Sequence, residues 1–231
     1  MPHWMPHAWI LARSSVMSPY SEPPHYGIIV PVKRRAVAKS RLLDLGDEVR
    51  GDLVVAFAAD TVTAALESPL VDVVLAVTDD AAFARLLVGL GAGAIPDGAT
   101  DDLNVSLMQA AAELHRRRPV LRIAALCADL PALRPGELTR ALSAAADDRQ
   151  SFVADSERVG TTFLAAPSPR DFLPRFGIGS RAAHLSDGAK EIDLDDIETL
   201  RRDVDTPADL EAAIALGVGS RTATVTLGLR L

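Results

Sequence analysis

From Gly27 to Ala146, short runs of aliphatic and β-branched residues take turns with longer stretches whose apolar residues recur at helical spacing. This alternation narrows the fold more than any other feature of the chain. GIIVPV, VDVVLAVT and LRIAALC are apolar along nearly their whole length rather than at every second position. A strand of that kind must be covered on both faces, which is the condition of a parallel sheet between helices. VRGDLVVAFAADTVTAALES, DAAFARLLVGLG, DLNVSLMQAAAELHRR and PGELTRALSAAA carry the helical period between and after these strands, with a short GAIPD strand among them. Strand and helix in turn imply a three-layer α/β/α sandwich. After Ala146 the rhythm changes. SFVADS and TTFLAA are separated by only a few residues around Val159 and Gly160, too few for a crossover helix, so an antiparallel hairpin is expected and the sheet becomes mixed but mostly parallel. AKEIDL supplies one more strand. TPADLEAAIALG supplies a last helix, capped by Thr206, with Pro207 at its first position and Gly217 at its end.

No repeat, heptad or internal linker breaks the chain, so residues 27–217 are read as one domain. The first 26 residues, proline-rich and without a signal-peptide core, are expected to be a disordered extension, with Met17 a candidate start. His3, His7 and His25 are read as tail histidines without fixed partners. Residues 218–231 are expected to be a loose strand or disordered. A net charge of -7 and a pI near 5.2 exclude a nucleic-acid surface or a polybasic membrane patch, since both need positive potential. Cys127 is the single cysteine, so no internal disulfide and no cysteine-based zinc cluster can form. A reducing cytoplasm fits this usage. Its position inside LRIAALC marks it as core.

In open α/β sheets ligands bind outside the carboxyl ends of the strands, and the residues at those ends are rich in chemistry here. VKRRAVAKSRL follows the first strand with Lys33, Arg34, Arg35, Lys39 and Arg41. Lys33 and Lys39 are the candidates for binding nucleotide phosphates and for offsetting charge during catalysis. Asp129 follows LRIAALC and precedes Pro131, with the next helix starting only near Pro135. A carboxylate so placed suits Mg²⁺, which takes one or two protein carboxylates and completes its shell with water and substrate phosphates. Asp205 in RRDVDTPADL serves equally as a helix cap or a second metal ligand, with Asp203 two residues back. In RFGIGSRAAHL the glycines Gly177 and Gly179 and Ser180 lead into a helix at Arg181–Leu185, an arrangement that exposes N–H groups to anions. Thr161 and Thr162 can add hydroxyls. Asn104, before a helix, is the candidate contact to a base or ribose, with Asp101 or Asp102 capping that helix. His115 is expected to face solvent, and His184 is either a helix-end contact or a site residue. There is no G-x-x-x-x-G-K-[ST], no G-x-G-x-x-G after the first strand and no G-x-S-x-G. A reaction whose nucleophile is a substrate phosphate needs none of these, because a phosphate monoester is already mostly dianionic at neutral pH.

Taken in order, VPVKRRAVAKSRL, the DLN segment, ADLPAL, GTTFLAA, FGIGSRAAHL and DVDTPADL resemble the guanylyltransferases of deazaflavin coenzyme F-420 biosynthesis. That family comprises 2-phospho-L-lactate guanylyltransferase and phosphoenolpyruvate guanylyltransferase. The resemblance runs from about Ile28 to Leu216 and implies the nucleotide-diphospho-sugar transferase (glycosyltransferase A-like) fold. It also implies a Mg²⁺-dependent reaction of GTP with a three-carbon phosphoacid that releases pyrophosphate. By position, Thr162, Gly177 and Ser180 would hold phosphoenolpyruvate, Asp129 and Asp205 the metal, and Lys33 and Lys39 the triphosphate. Asp102 departs from the pattern, standing where relatives often have glycine. An alanine- and arginine-rich, aromatic-poor composition suggests a GC-rich bacterium, and the resemblance to the family's bacterial branch then implies phosphoenolpyruvate over 2-phospho-L-lactate. Other readings are a molybdopterin guanylyltransferase-like enzyme, against which stands the lack of an L-A-G-G-type loop after the first strand, and a non-catalytic nucleotide-binding protein.

Overall fold

A computed structural model describes residues 23–32, 46–98, 102–227 and 229. Seven strands form one sheet in the order β3-β2-β1-β4-β6-β5-β7. The strands are β1 (Tyr26–Pro31), β2 (Val71–Val77), β3 (Gly93–Ile95), β4 (Arg122–Leu126), β5 (Ser151–Ala154), β6 (Thr161–Ala166) and β7 (Lys190–Glu191). β1 pairs in parallel with β2 and β4, whereas β6 runs antiparallel to both β4 and β5. The mixed, mostly parallel sheet and the β5–β6 hairpin are those expected from the spacing. Asp155 shapes the hairpin turn by accepting the N–H groups of Val159 (2.9 Å) and Gly160 (2.6 Å). Its carboxylate lies so close to Gly160 that a Cβ there would collide with it.

The helices are α1 (Asp47–Leu66), α2 (Ala81–Gly89), α3 (Leu103–Arg117), α4 (Pro135–Ala144), α5 (Ser180–Ser186), α6 (Glu198–Arg201), α7 (Pro207–Leu216) and α8 (Ser220–Thr226). Successive residues of β1 feed opposite faces. Ile28 and Val30 meet Val54 and Val62 of α1, Phe83 of α2 and Leu138 of α4, while Ile29 meets Leu107 and Leu114 of α3 on the other side. A third cluster joins Leu53 and Phe57 of α1 to Val204 and to Leu210 and Ala213 of α7, with Val218 and Val225 packed on it. The sequence pattern holds because both sheet faces need this covering.

Several boundaries differ from expectation. Tyr26 is the first residue of β1, buried, with its hydroxyl donating to Leu142 O. His25 is not a loose tail histidine: its Nδ1 pairs with Asp72 and its carbonyl accepts the Arg122 N–H. Residues 1–22, with His3 and His7, lie outside the described residues. Cys127 sits just past the end of β4, half-buried at the rim rather than in mid-strand. AKEIDL contributes only Lys190–Glu191 as strand.

The stretch read as a loose tail contains α8. Its first N–H groups, those of Arg221 and Thr222, are held by the buried carboxylate of Asp60 on α1, and the Gly219 N–H donates to Pro131 O. The helix was illegible because its cap comes from a residue far away in the chain. Among the described residues no helix is long and apolar enough to cross a membrane.

Candidate active site

The carboxyl ends of β1 and β4 and the start of the antiparallel β6 meet on one rim of the sheet, and Asp129 stands there, half-buried. The turn that carries it is fastened on every side. The Cys127 N–H donates to Thr162 O at 2.9 Å. The fully buried Thr61 of α1 gives its hydroxyl proton to Ala128 O (3.3 Å) and accepts the Leu130 N–H (3.2 Å). The Val204 N–H donates to Asp129 O at 3.0 Å. That last bond brings a segment distant in sequence to the Asp129 main chain, and the residues on either side of Val204 are Asp203 and Asp205. Thr61 thereby supports the turn that carries Asp129; it gave no signal because it reads as an ordinary helix residue.

The cap of α7 is Thr206, whose hydroxyl accepts the Asp209 N–H while the Asp209 carboxylate takes the Thr206 N–H in return, a closed capping box. The cap role considered for Asp205 is thus filled by its neighbours. The segment approaches the rim because α6 is anchored from below. Glu137 of α4, 5% exposed, accepts the N–H groups of Thr199 (2.7 Å) and Leu200 (3.3 Å), doing for this short helix what a local cap residue would do. Among the described residues no group of three or more His, Cys, Asp or Glu side chains is placed to hold a metal.

The second part of the rim is the Gly177–Ser180 segment. Gly177 and Gly179 have φ of 133° and 70°, a backbone that L-residues avoid. The Ser180 N–H is used by Gly177 O and that of Arg181 by Val159 O. No main-chain acceptor is paired with the N–H groups of Gly177, Ile178 or Gly179 among the described residues. Ser180 is buried, and its hydroxyl donates to Thr161 Oγ1 at 3.1 Å. His184 of α5 lies behind them, wholly buried between Phe152 and Phe176. Burial pushes its pKa down to about 4.

Two residues assigned from the sequence have side chains with partners inside the protein. Thr162, without exposure, gives its hydroxyl proton to Leu200 O at 2.7 Å. It lies where β6 bulges against β5, and the bulge turns this side chain into the protein. The hydroxyl beside Ser180 belongs to Thr161. The Asn104 side-chain amide donates to Phe176 O (3.0 Å), and its carbonyl accepts the Phe176 N–H (2.8 Å). It therefore clamps the approach to Gly177 rather than offering both groups to a base. Asp102 caps α3 as expected, and His115 is exposed. Lys33 and Lys39, with the other cations of the loop after β1, lie outside the described residues.

A cavity of about 300 Å³ opens near the end of β5, lined by Ser156, Arg158, Glu198, Arg201 and Arg202 among others. Arg158 bonds to Glu191 and Asp193, and Arg201 to Asp193 and to two carbonyls. Arg202 lines the same cavity, and its Nε is buried with no hydrogen-bond partner among the described residues.

Residues 26–230 match the model of a family described as "Guanylyl transferase CofC like". The chain belongs to this family. It is 52% identical over 201 residues to the phosphoenolpyruvate guanylyltransferase of Streptomyces scabiei, a match covering 85% of this chain and 93% of that protein. The enzyme of the same name from Streptomyces coelicolor is 49% identical over 199 residues, covering 86% and 94%. Among solved structures, a nucleotide-diphospho-sugar transferase of Desulfovibrio desulfuricans superposes with a TM-score of 0.60 at 15% identity, covering 84% of this chain and 96% of that one. A nucleotidyl transferase of Methanothermobacter gives 0.59 at 20% identity, covering 83% and 97%. These likenesses establish the fold of this CofC-like chain, that of the nucleotide-diphospho-sugar transferases. A further neighbour of the same fold, from Mycobacterium tuberculosis, was solved as a complex with manganese, at a TM-score of 0.53 and 16% identity, covering 84% of this chain and 100% of that one.

Proposed function

We propose that this CofC-like protein is a phosphoenolpyruvate guanylyltransferase of coenzyme F-420 biosynthesis. The observation that supports the reading is the Val204–Asp129 main-chain bond, which brings the backbone of the segment containing Asp203 and Asp205 to that of Asp129, at the rim where ligands of open α/β sheets bind. In the proposed reaction an oxygen of the phosphoenolpyruvate phosphate attacks the α-phosphorus of GTP. The bond from that phosphorus to the bridging oxygen breaks, and pyrophosphate leaves with the electron pair. The attacking oxygen is already ionised, so no general base is required. The protein's task is to position the reactants and stabilise charge.

The donor set at the rim fits a hard divalent cation such as Mg²⁺. The candidate ligands are carboxylates, the nearby Cys127 thiol being directed to Thr161 O, and they are too few for an all-protein cage, which leaves coordination sites for phosphate oxygens and water. Asp129 and Asp205 would hold the ion, with Asp203 the alternative partner. The bound ion would draw charge from the phosphate oxygens around the reacting phosphorus. Gly177 and its neighbours would donate main-chain N–H groups to the phosphoacid. Lys33 and Lys39 are proposed for the triphosphate.

Initial rates of pyrophosphate release, measured with GTP, CTP, ATP or UTP against phosphoenolpyruvate or 2-phospho-L-lactate, test the assignment. Turnover with GTP and phosphoenolpyruvate is expected. Turnover with CTP in place of GTP would overturn the base, and preference for 2-phospho-L-lactate would overturn the acid.

A further inference from the structure

The turn that carries Asp129 is held chiefly from outside. Each residue from Ala128 to Pro131 gives one main-chain group to a partner far away in the chain. Ala128 O and the Leu130 N–H meet the Thr61 hydroxyl at 3.3 and 3.2 Å, Asp129 O takes the Val204 N–H at 3.0 Å, and Pro131 O takes the Gly219 N–H at 2.8 Å. Two of these three partners depend on adjacent residues of α1. Thr61 is itself one of them. The other, Gly219, is set by Asp60, whose carboxylate accepts the N–H groups of Arg221 (3.2 Å) and Thr222 (2.8 Å) at the start of α8. That carboxylate lies so close to Gly219 that a Cβ there would collide with it. Neither residue is used as its type commonly is in a helix. A helical threonine often returns its hydroxyl to the carbonyl four residues back, as Thr63 does to Ala59 O at 2.8 Å, whereas Thr61 gives its hydroxyl to the turn. A mid-helix carboxylate ordinarily faces water, whereas Asp60 is only 7% exposed.

We infer that Asp60 and Thr61 are positioning residues for Asp129. Thr61 fixes the main chain on both sides of it, and Asp60 fixes the Pro131 carbonyl through the start of α8. The inference rests on the reading that Asp129 holds the divalent ion. Mg²⁺ demands near-ideal octahedral geometry, so a ligand has to be held to within about 0.5 Å. A displacement of about 1 Å can lower a rate about 100-fold. A turn pinned at four main-chain groups meets that demand without either side chain touching ion or substrate.

The test compares Thr61→Val, Thr61→Ser, Asp60→Ala and Asp60→Asn with Tyr26→Phe. The last removes a buried hydrogen bond to Leu142 O at the opposite end of β1, and so stands for a loss of stability alone. Each protein is checked by thermal melt. Pyrophosphate release from GTP and phosphoenolpyruvate is measured as Mg²⁺ is varied, and exchange of the Leu130 amide is followed by NMR without metal. Thr61→Val and Asp60→Ala should lower kcat and raise the Mg²⁺ concentration for half-maximal rate, each by at least about fivefold, and Thr61→Val should also speed Leu130 exchange. Thr61→Ser keeps the hydroxyl and Asp60→Asn an acceptor oxygen, so both should stay within about twofold of the wild type, as should Tyr26→Phe. Faster Leu130 exchange with kcat and Mg²⁺ requirement unchanged would overturn the inference, as would an equal change in Tyr26→Phe. If Thr61→Val does not fold, the Asp60 pair decides, and equal kinetics for its alanine and asparagine variants would overturn the inference. If Asp129→Ala turns over as the wild type does, the reading of Asp129 falls first.

Discussion

Glu137 offers a sharp test of how the rim is held. Its carboxylate is the acceptor for two buried main-chain N–H groups at the start of α6, and α6 leads directly into Arg202, Asp203, Val204 and Asp205. Glu137→Ala leaves both N–H groups buried without an acceptor, a cost of about 1–3 kcal/mol each. Removing the carboxylate also relieves its own desolvation, which works in the opposite direction, so a net loss of about 3 kcal/mol is expected. Glu137→Gln keeps an acceptor oxygen in the same place and gives up only the charge, so its loss should be about 1 kcal/mol. In a domain of this size these correspond to falls in Tm of roughly 6–12 °C and 2–4 °C. Equilibrium urea denaturation measures both, provided the two variants unfold with the wild-type slope. Because the Leu200 carbonyl also receives the Thr162 hydroxyl, the alanine variant should lose turnover as well. A loss below about 1 kcal/mol for Glu137→Ala, or equal losses for both variants, would refute the reasoning.

Asp129→Ala should lower the rate of pyrophosphate release by orders of magnitude while moving the urea midpoint little. Testing Asp203→Ala and Asp205→Ala in the same assay, with titration of Mg²⁺, reveals which neighbour of Val204 shares its work. Thr162→Val should cost about 1–2 kcal/mol of stability, since Leu200 O loses its donor, yet leave the phosphoenolpyruvate KM within about threefold. Asp60→Ala should release α8, read as faster amide hydrogen exchange across residues 220–226. His184, its pKa lowered to about 4 by burial, binds fewer protons in the folded than in the unfolded chain between that value and its ordinary 6.5. Its contribution is therefore fully present above about pH 6.5 and lost as pH falls toward 4, a total of about 3 kcal/mol. Urea midpoints of the wild type should fall over this window more steeply than those of His184→Gln; parallel curves would refute the assignment.

The central sheet was legible because burial on both faces imposes apolar runs that no loop would carry, as β1, β2 and β4 show. α7 was legible for a local reason, since Thr206, Pro207 and Gly217 write its ends within the segment itself. α6 and α8 escaped because their first N–H groups are satisfied by Glu137 and Asp60, and no inspection of residues 198–201 or 220–226 reveals a partner so far away. The same distinction runs through the site. Asp129 announces itself by following a buried strand. That the Thr162 hydroxyl turns inward was beyond the sequence, because a single bulge in β6 decides it. Asn104 looked like a free hydrogen-bonder for the same reason: its partner, Phe176, lies on another element.

β7, the last strand in sequence, ends at Glu191, well before Val204. A ribosome has thus delivered every strand seen among the described residues while the peptide that meets Asp129 is still being made or threading the exit tunnel. A chain cut before Val204 would hold all the strands seen among the described residues and lack the Val204 N–H that meets Asp129 O.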